Sequence, residues 1–263
     1  VESSDGRPLR WSFLGQLGYV EATALQMRLR DDLRRGRGAE HLLLLEHRPV
    51  YTVGRNASPD DVLASPEWLR QRGVGVHETN RGGQVTYHGP GQLVGYPILN
   101  LSPDRRDIRR YVRDLQTVLV GTLKDFGIEA QGREPAAEIG VWVDGGKIAS
   151  IGVHLSRWIT LHGFALNVTT DLSFFQGIVA CGLPEVRMVS MESLTGRRFS
   201  LPEVAEAAVG HFAQVFGRRP EATTAAALLA EPLATPSATP LAEPLAEPLA
   251  EPLAEPLAEE RND

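Results

Sequence analysis

The chain has 263 residues, 42% of them hydrophobic and 23% charged, with a formal net charge of −6. That composition suits a soluble globular protein with a buried core, and its acidic balance offers no basic surface for nucleic acid or an anionic membrane. No apolar run approaches the roughly 18 residues of a membrane span, and Val1 to Arg10 lacks the basic-then-apolar layout of a secretory signal, so a cytoplasmic protein is expected.

Helical spacing is predicted first over Tyr19 to Arg34. Next come two apolar runs that read as buried strands, His41-Leu-Leu-Leu-Leu-Glu46 and Pro49-Val-Tyr-Thr-Val53. Arg81 to Gln92 is predicted as a glycine-rich loop, leading into a strand over Gln92 to Leu99. From Ile108 to Phe126 apolar residues recur at intervals of three and four, with Gly127 as the stop, which predicts an amphipathic helix. Ile139 to Asp144 and Lys147 to Leu155 read as a hairpin about an Asp-Gly-Gly turn, and Trp158 to Val168 as the next strand. Ser200-Leu-Pro-Glu203 has the capping-box arrangement and predicts a helix burying Val204, Val209, Phe212 and Phe216.

From Ala230 the chain becomes Glu-Pro-Leu-Ala units. Proline at every fourth position removes backbone donors and breaks any helix, so residues 221–263 are expected to form an extended, disordered acidic tail. The folded unit is expected over 1–220: a single α/β (α+β) domain with a mixed sheet flanked by helices.

Three segments stand out chemically. Arg81-Gly-Gly-Gln-Val-Thr-Tyr-His-Gly-Pro-Gly-Gln92 suits close backbone approach to a ligand, with Arg81, Tyr87 and His88 as polar groups; a long structural turn is the plain alternative. Of the 27 lysines and arginines only Lys124 and Lys147 are lysine. Lys124 sits beside Asp125 on a helix, where arginine would serve equally well. Lys147 opens an otherwise apolar strand, so it either closes a hairpin at the surface or lines a pocket wall, where desolvation favours proton exchange that arginine cannot perform. The single cysteine, Cys181, precludes an internal disulfide. Followed by Gly182 and Pro184, it reads equally as an inert core residue or as a thiol exposed at a turn, near amides that stabilise a thiolate or an oxyanion. Neither the glycine spacing of a dinucleotide turn nor a phosphate loop is present, and no histidine or cysteine pattern suggests a metal site.

In this order, Arg81 to Gln92, Tyr96-Pro-Ile98, Gly146-Lys-Ile-Ala-Ser-Ile-Gly-Val153, His162-Gly-Phe-Ala-Leu-Asn167 and Ala180-Cys-Gly182 resemble the lipoyl(octanoyl) transferase family. The resemblance runs through most of residues 10–217 and leaves the tail unexplained. It implies a biotin- and lipoate-protein-ligase-like fold and transfer of octanoyl from octanoyl-acyl carrier protein to a lysine of lipoyl domains. Those acceptors would be the acyltransferase subunits of 2-oxoacid dehydrogenases and the glycine cleavage H protein. Cys181 is implied as the thioester-forming nucleophile and Lys147 as the residue that lowers its pKa. Arg81, Gly82, Gly83, Gln84, Val85, Thr86, Tyr87, His88, Ser150, Ile151, Gly152, Gly163, Phe164 and Ala165 would line the acyl site. No cofactor or metal is implied. The proton shed by the attacking amine would go to neutral Lys147 or to His88. An ATP-dependent lipoate or biotin ligase on the same fold would not need Cys181, and a non-catalytic module that binds acyl carriers or lipoyl domains would need neither dyad member.

Overall fold

The computed structural model describes residues 6–134, 138–182 and 186–230, and the side chains of Pro59 and Cys181 lie outside this description. The first half of the chain comprises β1 (Arg7–Leu17), α1 (Tyr19–Arg34), β2 (Glu40–His47), β3 (Val50–Val53), α2 (Pro66–Arg72), β4 (Gly75–Glu78), β5 (Thr86–His88) and β6 (Gln92–Ile98). It continues with α3 (Ile108–Asp125), β7 (Gln131–Arg133), β8 (Gly140–Val143), β9 (Gly146–Ser156), β10 (Ile159–Asn167), α4 (Met191–Thr195), α5 (Leu201–Phe216), β11 (Arg218–Ala222) and α6 (Ala225–Leu229). Short 3₁₀ turns at Leu172–Gly177 and Ala180–Gly182 lie between β10 and α4.

Eight strands form one mixed sheet in the order β11-β1-β2-β6-β10-β9-β8-β7, and β4-β3-β5 form a small second sheet. Both faces of the large sheet are covered, which is why β2 is a continuous apolar run rather than an alternating one. Leu42 and Leu44 face one way, with Leu93, Phe164 and Leu166, against Tyr111, Leu115 and Leu119 of α3 and Val204 and Phe212 of α5. Leu43 and Leu45 face the other way, with Val94, Tyr96 and Ala165, against Ala22, Leu25 and Leu29 of α1 and Leu228 of α6. The small sheet has its own core, in which Tyr51, Val85 and Tyr87 pack with Phe175, Ile178 and Ala180.

The helices and the hairpin predicted from spacing are present. Helix α3 begins behind Asp107, whose side chain accepts from the Arg110 amide, and its chain turns away at Gly127, where φ is 75°. The β8–β9 hairpin turns at Asp144 (φ 47°) and Gly145 (φ 76°), both left-handed, the geometry that matches strand twist. At α5 only the serine half of the expected capping box forms, Ser200 accepting from the Glu203 amide; the reciprocal arrangement is at α4, between Ser190 and Ser193.

Other elements differ from expectation. The glycine-rich segment is not a loop throughout, since β5 lies inside it and pairs antiparallel with β3, Tyr51 opposite Tyr87. β1 and β11 gave no clear local signal, and they pair parallel with each other, Arg7 opposite Arg218 through Trp11 opposite Ala222. Regular structure therefore continues past Pro220, and α6 adds Leu228 to the core under α1. Arg218 explains why the chain returns here: it is buried, and its guanidinium meets the buried Glu40 carboxylate at 2.6 Å. The Glu-Pro-Leu-Ala segment beyond residue 230, expected as an extended tail, lies outside the described residues. Among those described, no helix is long and apolar enough to cross a membrane.

Candidate active site

Three segments that are distant in sequence close on one another. The glycine-rich segment docks on β9 through the Gly82 amide, which donates to the Val153 carbonyl at 2.9 Å. It also docks on the chain leaving β3, where the Arg55 and Asn56 amides donate to the carbonyls of Arg81 and Gly83 at 3.1 and 3.2 Å. Its Gln84 side chain lies against Gly182, occupying the space a Cβ there would need. Gly182 has φ 67°, so glycine permits both the turn and the close approach. Past the cysteine turn the chain runs beside β9: the Lys147 amide donates to the Arg187 carbonyl at 2.8 Å, and the Val189 amide to the Lys147 carbonyl at 3.0 Å. The glycine-rich segment thus touches both β9 and the cysteine turn, and the chain that follows that turn pairs with the start of β9.

Lys147 is 1% exposed. It therefore does not close a hairpin at the surface, whereas Lys124 is exposed. Its ammonium lies 5.5 Å from the centre of the Trp142 ring, a cation–π contact. Room for its stem comes from Gly140, where a Cβ would stand 2.7 Å from Lys147 Cε. A bulge between Val141 and Trp142 shifts the β8–β9 register at this point, which re-aims the lysine relative to a regular strand.

Ser150, Gly152, Gly163 and Ala165 are brought together. β9 and β10 pair with Gly163 opposite Gly152 and Ala165 opposite Ser150. These small residues share the face that carries Ala165 toward α1, and Arg81 lies on it, 3.1 Å from where a Cβ of Gly152 would be. Ile151 and Phe164, the residues between them, pack on the opposite face under α3 and α5, so only their backbones border the site. Val85 and Tyr87 are also turned away: both belong to the core of the small sheet, where Tyr87 stacks on Phe174 at 4.8 Å. They support the site from beneath.

Arg81 is buried, and its guanidinium bonds the Thr52 carbonyl at 2.6 Å, the Thr52 hydroxyl at 2.8 Å and the Gly82 carbonyl at 3.0 Å. These bonds clamp the glycine-rich segment to β3, in addition to placing a fixed positive charge in the site. Three histidines gather beside that charge. His88 is fully buried and its pKa is pushed well below the usual value, first by burial, then by the proximity of His47 and, further down, by Arg81 and His162. Burial likewise lowers His47 to about 4, and burial together with Arg81 lowers His162 to about 3. All three are therefore neutral near pH 7.

His47 holds a proton on Nδ1 for the Leu17 carbonyl at 3.0 Å, which leaves Nε2 to accept from the Tyr96 hydroxyl at 2.7 Å. His162 donates from Nε2 to Asn80 Oδ1 at 2.9 Å, and its own amide donates to Gln26 Oε1 at 2.8 Å. That second bond holds a strand residue at φ 57°, a left-handed conformation rare outside glycine. Beside it a small cavity of about 100 Å³ is bounded by Tyr19, Gln26, Asn80, Leu161 and His162. The roles of His47, Gln26 and Asn80 were not visible in the sequence, because each sits in an ordinary-looking element and acquires its partner only through tertiary contact.

Residues 18–213 match the model of the lipoyl protein ligase A/B catalytic domain. The chain is 53% identical to an octanoyltransferase of Solibacter usitatus, over 81% of this chain and 96% of the relative. It is 45% identical to an octanoyltransferase of Geobacter metallireducens, over 76% and 89% of the two chains. In fold it superposes on a lipoate protein ligase of T. acidophilum with bound lipoic acid, with a TM-score of 0.69 at 19% identity, over 85% of this chain and 94% of that one. A lipoate-protein ligase A bound with ATP gives 0.67 at 17% identity, over 85% and 93%. The mixed sheet flanked by helices is therefore the lipoate-ligase fold. By its matched catalytic domain and its identity to these relatives, the chain belongs to the lipoyl protein ligase A/B family, within its octanoyltransferases, and is an acyltransferase.

Proposed function

We propose that the protein moves an octanoyl group from octanoyl-acyl carrier protein to a lysine amine of a lipoyl domain, through a thioester on Cys181. The acceptors on this reading are lipoyl domains of 2-oxoacid dehydrogenase acyltransferase subunits and the glycine cleavage H protein. One observation carries the reading: the buried lysine at the start of β9 pairs through its backbone with Arg187 and Val189, in the chain that follows the turn holding the only cysteine.

The chemistry follows from that pairing. An ammonium in a dry site favours a nearby thiolate, and the thiolate attacks the donor thioester, taking over its acyl group as the carrier thiol leaves. Thioester exchange is close to balanced. The acceptor amine then attacks the enzyme thioester, and forming an amide from a thioester runs downhill without ATP. On this reading Ser150, Gly152, Gly163 and Ala165, small residues that share one face of β9 and β10 near Arg81, border the acyl chain. Backbone amides around the Gly182 turn are suited to hold a developing oxyanion.

The test is transfer in a purified system of octanoyl-acyl carrier protein and an unmodified lipoyl domain, without ATP. Octanoylation of the lipoyl domain is expected. Octanoylation from free octanoate that depends on ATP, with none from the acyl carrier protein, would replace this reading with that of a ligase.

A further inference from the structure

Resting on the transferase reading, in which the Lys147 ammonium favours a thiolate at Cys181, we infer that Trp142 is a positioning residue. Its indole, braced from the other side of β8 by Arg133, fixes where that ammonium stands.

The register of the hairpin brings the two side chains together. Gly140 pairs with Ser150 and Val141 with Ala149, so a regular ladder would set Trp142 opposite Ile148. The irregularity after Val141 sets it opposite Lys147 instead and leaves Ile148 outside the pairing with β8. Directly opposed residues share a face of the sheet, whereas a one-residue slip would send the lysine stem to the other face. The bulge therefore has a definite product, an ammonium 5.5 Å from the centre of an indole ring. Trp142 is 4% and Lys147 1% exposed, so on this side the cation faces a ring in place of water. Desolvation is the condition in which a cation–π contact is strongest, and indole is the best of the aromatic rings for it.

The ring is itself held in place. Its Nε1–H donates to the Glu138 carbonyl at 2.8 Å, and the Arg133 guanidinium stands 4.3 Å from its centre. Arg133 comes from β7 and Lys147 from β9, the two strands that flank β8, so the indole is approached by a cation from the strand on each side. The Glu138 carboxylate meets Arg133 at 2.7 Å and offsets its charge, which reduces the repulsion that a second bare cation would exert on Lys147. Glu138 thus orients the indole with its backbone and Arg133 with its side chain. Gln116 of α3 seats the two neighbouring strands: its amide donates to the Arg133 carbonyl at 2.8 Å and to the Gly140 carbonyl at 3.3 Å, beside the glycine that makes room for the lysine stem.

A tryptophan that merely filled space would matter for stability and leave the titration of the cysteine unchanged. Cys181 is the only cysteine, so the pH dependence of alkylation by iodoacetamide reads its thiolate alone. In Trp142→Leu the alkylation rate at pH 7 should fall about tenfold, with the midpoint of the profile moved to higher pH. Single-turnover acylation by octanoyl-acyl carrier protein should fall by a similar factor, while KM for the carrier stays within a few-fold. Trp142→Phe, which keeps a ring in the core should the leucine variant not fold, should give a smaller shift in the same direction. In a Lys147→Met background Trp142→Leu should have no further effect, because the ring then has no ammonium to place.

A profile unmoved by Trp142→Leu, or moved equally with and without Lys147, would overturn the inference and leave the transferase reading intact. A profile unmoved by Lys147→Met would remove the pairing of lysine and cysteine, and the role of Trp142 with it. Wild-type protein that forms no octanoyl-enzyme would overturn the transferase reading, whereas the alkylation profiles still decide whether Trp142 acts through Lys147.

Discussion

At the scale of single residues the proposed chemistry depends on a charge kept out of water. Lys147 is surrounded by Trp142, the space above Gly140, and the backbone of the chain that follows the cysteine turn, an environment in which an ammonium acts on its neighbours with little screening. Replacing it by methionine retains the stem and most of the volume and removes only the charge and the proton. Lys147→Met is therefore expected to keep its thermal unfolding midpoint within a few degrees while the rate of enzyme acylation falls about 10²- to 10⁴-fold. Full acylation by this variant would remove Lys147 from the chemistry. Arg81 has a different kind of importance. Its bonds to Thr52 and Gly82 keep the glycine-rich segment seated on β3, so it acts on the site through the backbone as well as through its charge.

At the scale of elements, β9 and β10 would frame the proposed acyl site, and their small residues admit close packing in two ways. Gly152 leaves room for the Arg81 stem, whereas a Cβ on Gly163 would run into the Gly95 carbonyl on the neighbouring strand β6 and stand 2.6 Å from Pro97. Backbone cannot yield as a side chain can. Gly163→Ala is expected to lower stability by about 1–3 kcal/mol, the usual cost of forcing extra volume into a packed sheet, measured by urea unfolding. A neutral effect would mean that β6 and β10 can separate at that point.

Much of this frame was legible in the sequence. The β8–β9 hairpin showed itself through Asp144-Gly145-Gly146, and α3 through its apolar repeat. β5 was hidden because Thr86-Tyr87-His88 lies among glycines, and β1 because a strand's identity depends on its partners in β2 and β11, the latter far along the chain. For the same reason Ser150, Gly152, Gly163 and Ala165 were identifiable as a set, but the outward turn of Ile151, Phe164, Val85 and Tyr87 was not. Side-chain direction in a strand follows from register, and register is a property of the pair.

Across the whole molecule buried neutral histidines tie stability to pH. His41 and His47 are held down to about 4 and His162 to about 3, from an ordinary 6.5, in each case first by burial. Below pH 6.5 these residues take up protons in the unfolded chain and not in the folded one. Stability is therefore fully retained above that value and declines as pH falls toward 4, each histidine contributing up to about 1.4 kcal/mol per pH unit. Unfolding midpoints recorded between pH 7.5 and 4.5 should be level at first and fall below about pH 6.5; a midpoint constant down to pH 4.5 would show that these rings are not held neutral.

The central claim is a covalent acyl-enzyme on Cys181, and intact-protein mass spectrometry after mixing with octanoyl-acyl carrier protein, without ATP, tests it most directly. One octanoyl group per chain is expected on the wild type and none on Cys181→Ala. An adduct that persists in Cys181→Ala, or a wild-type protein that stays unmodified while transferring octanoyl to a lipoyl domain, would contradict the account.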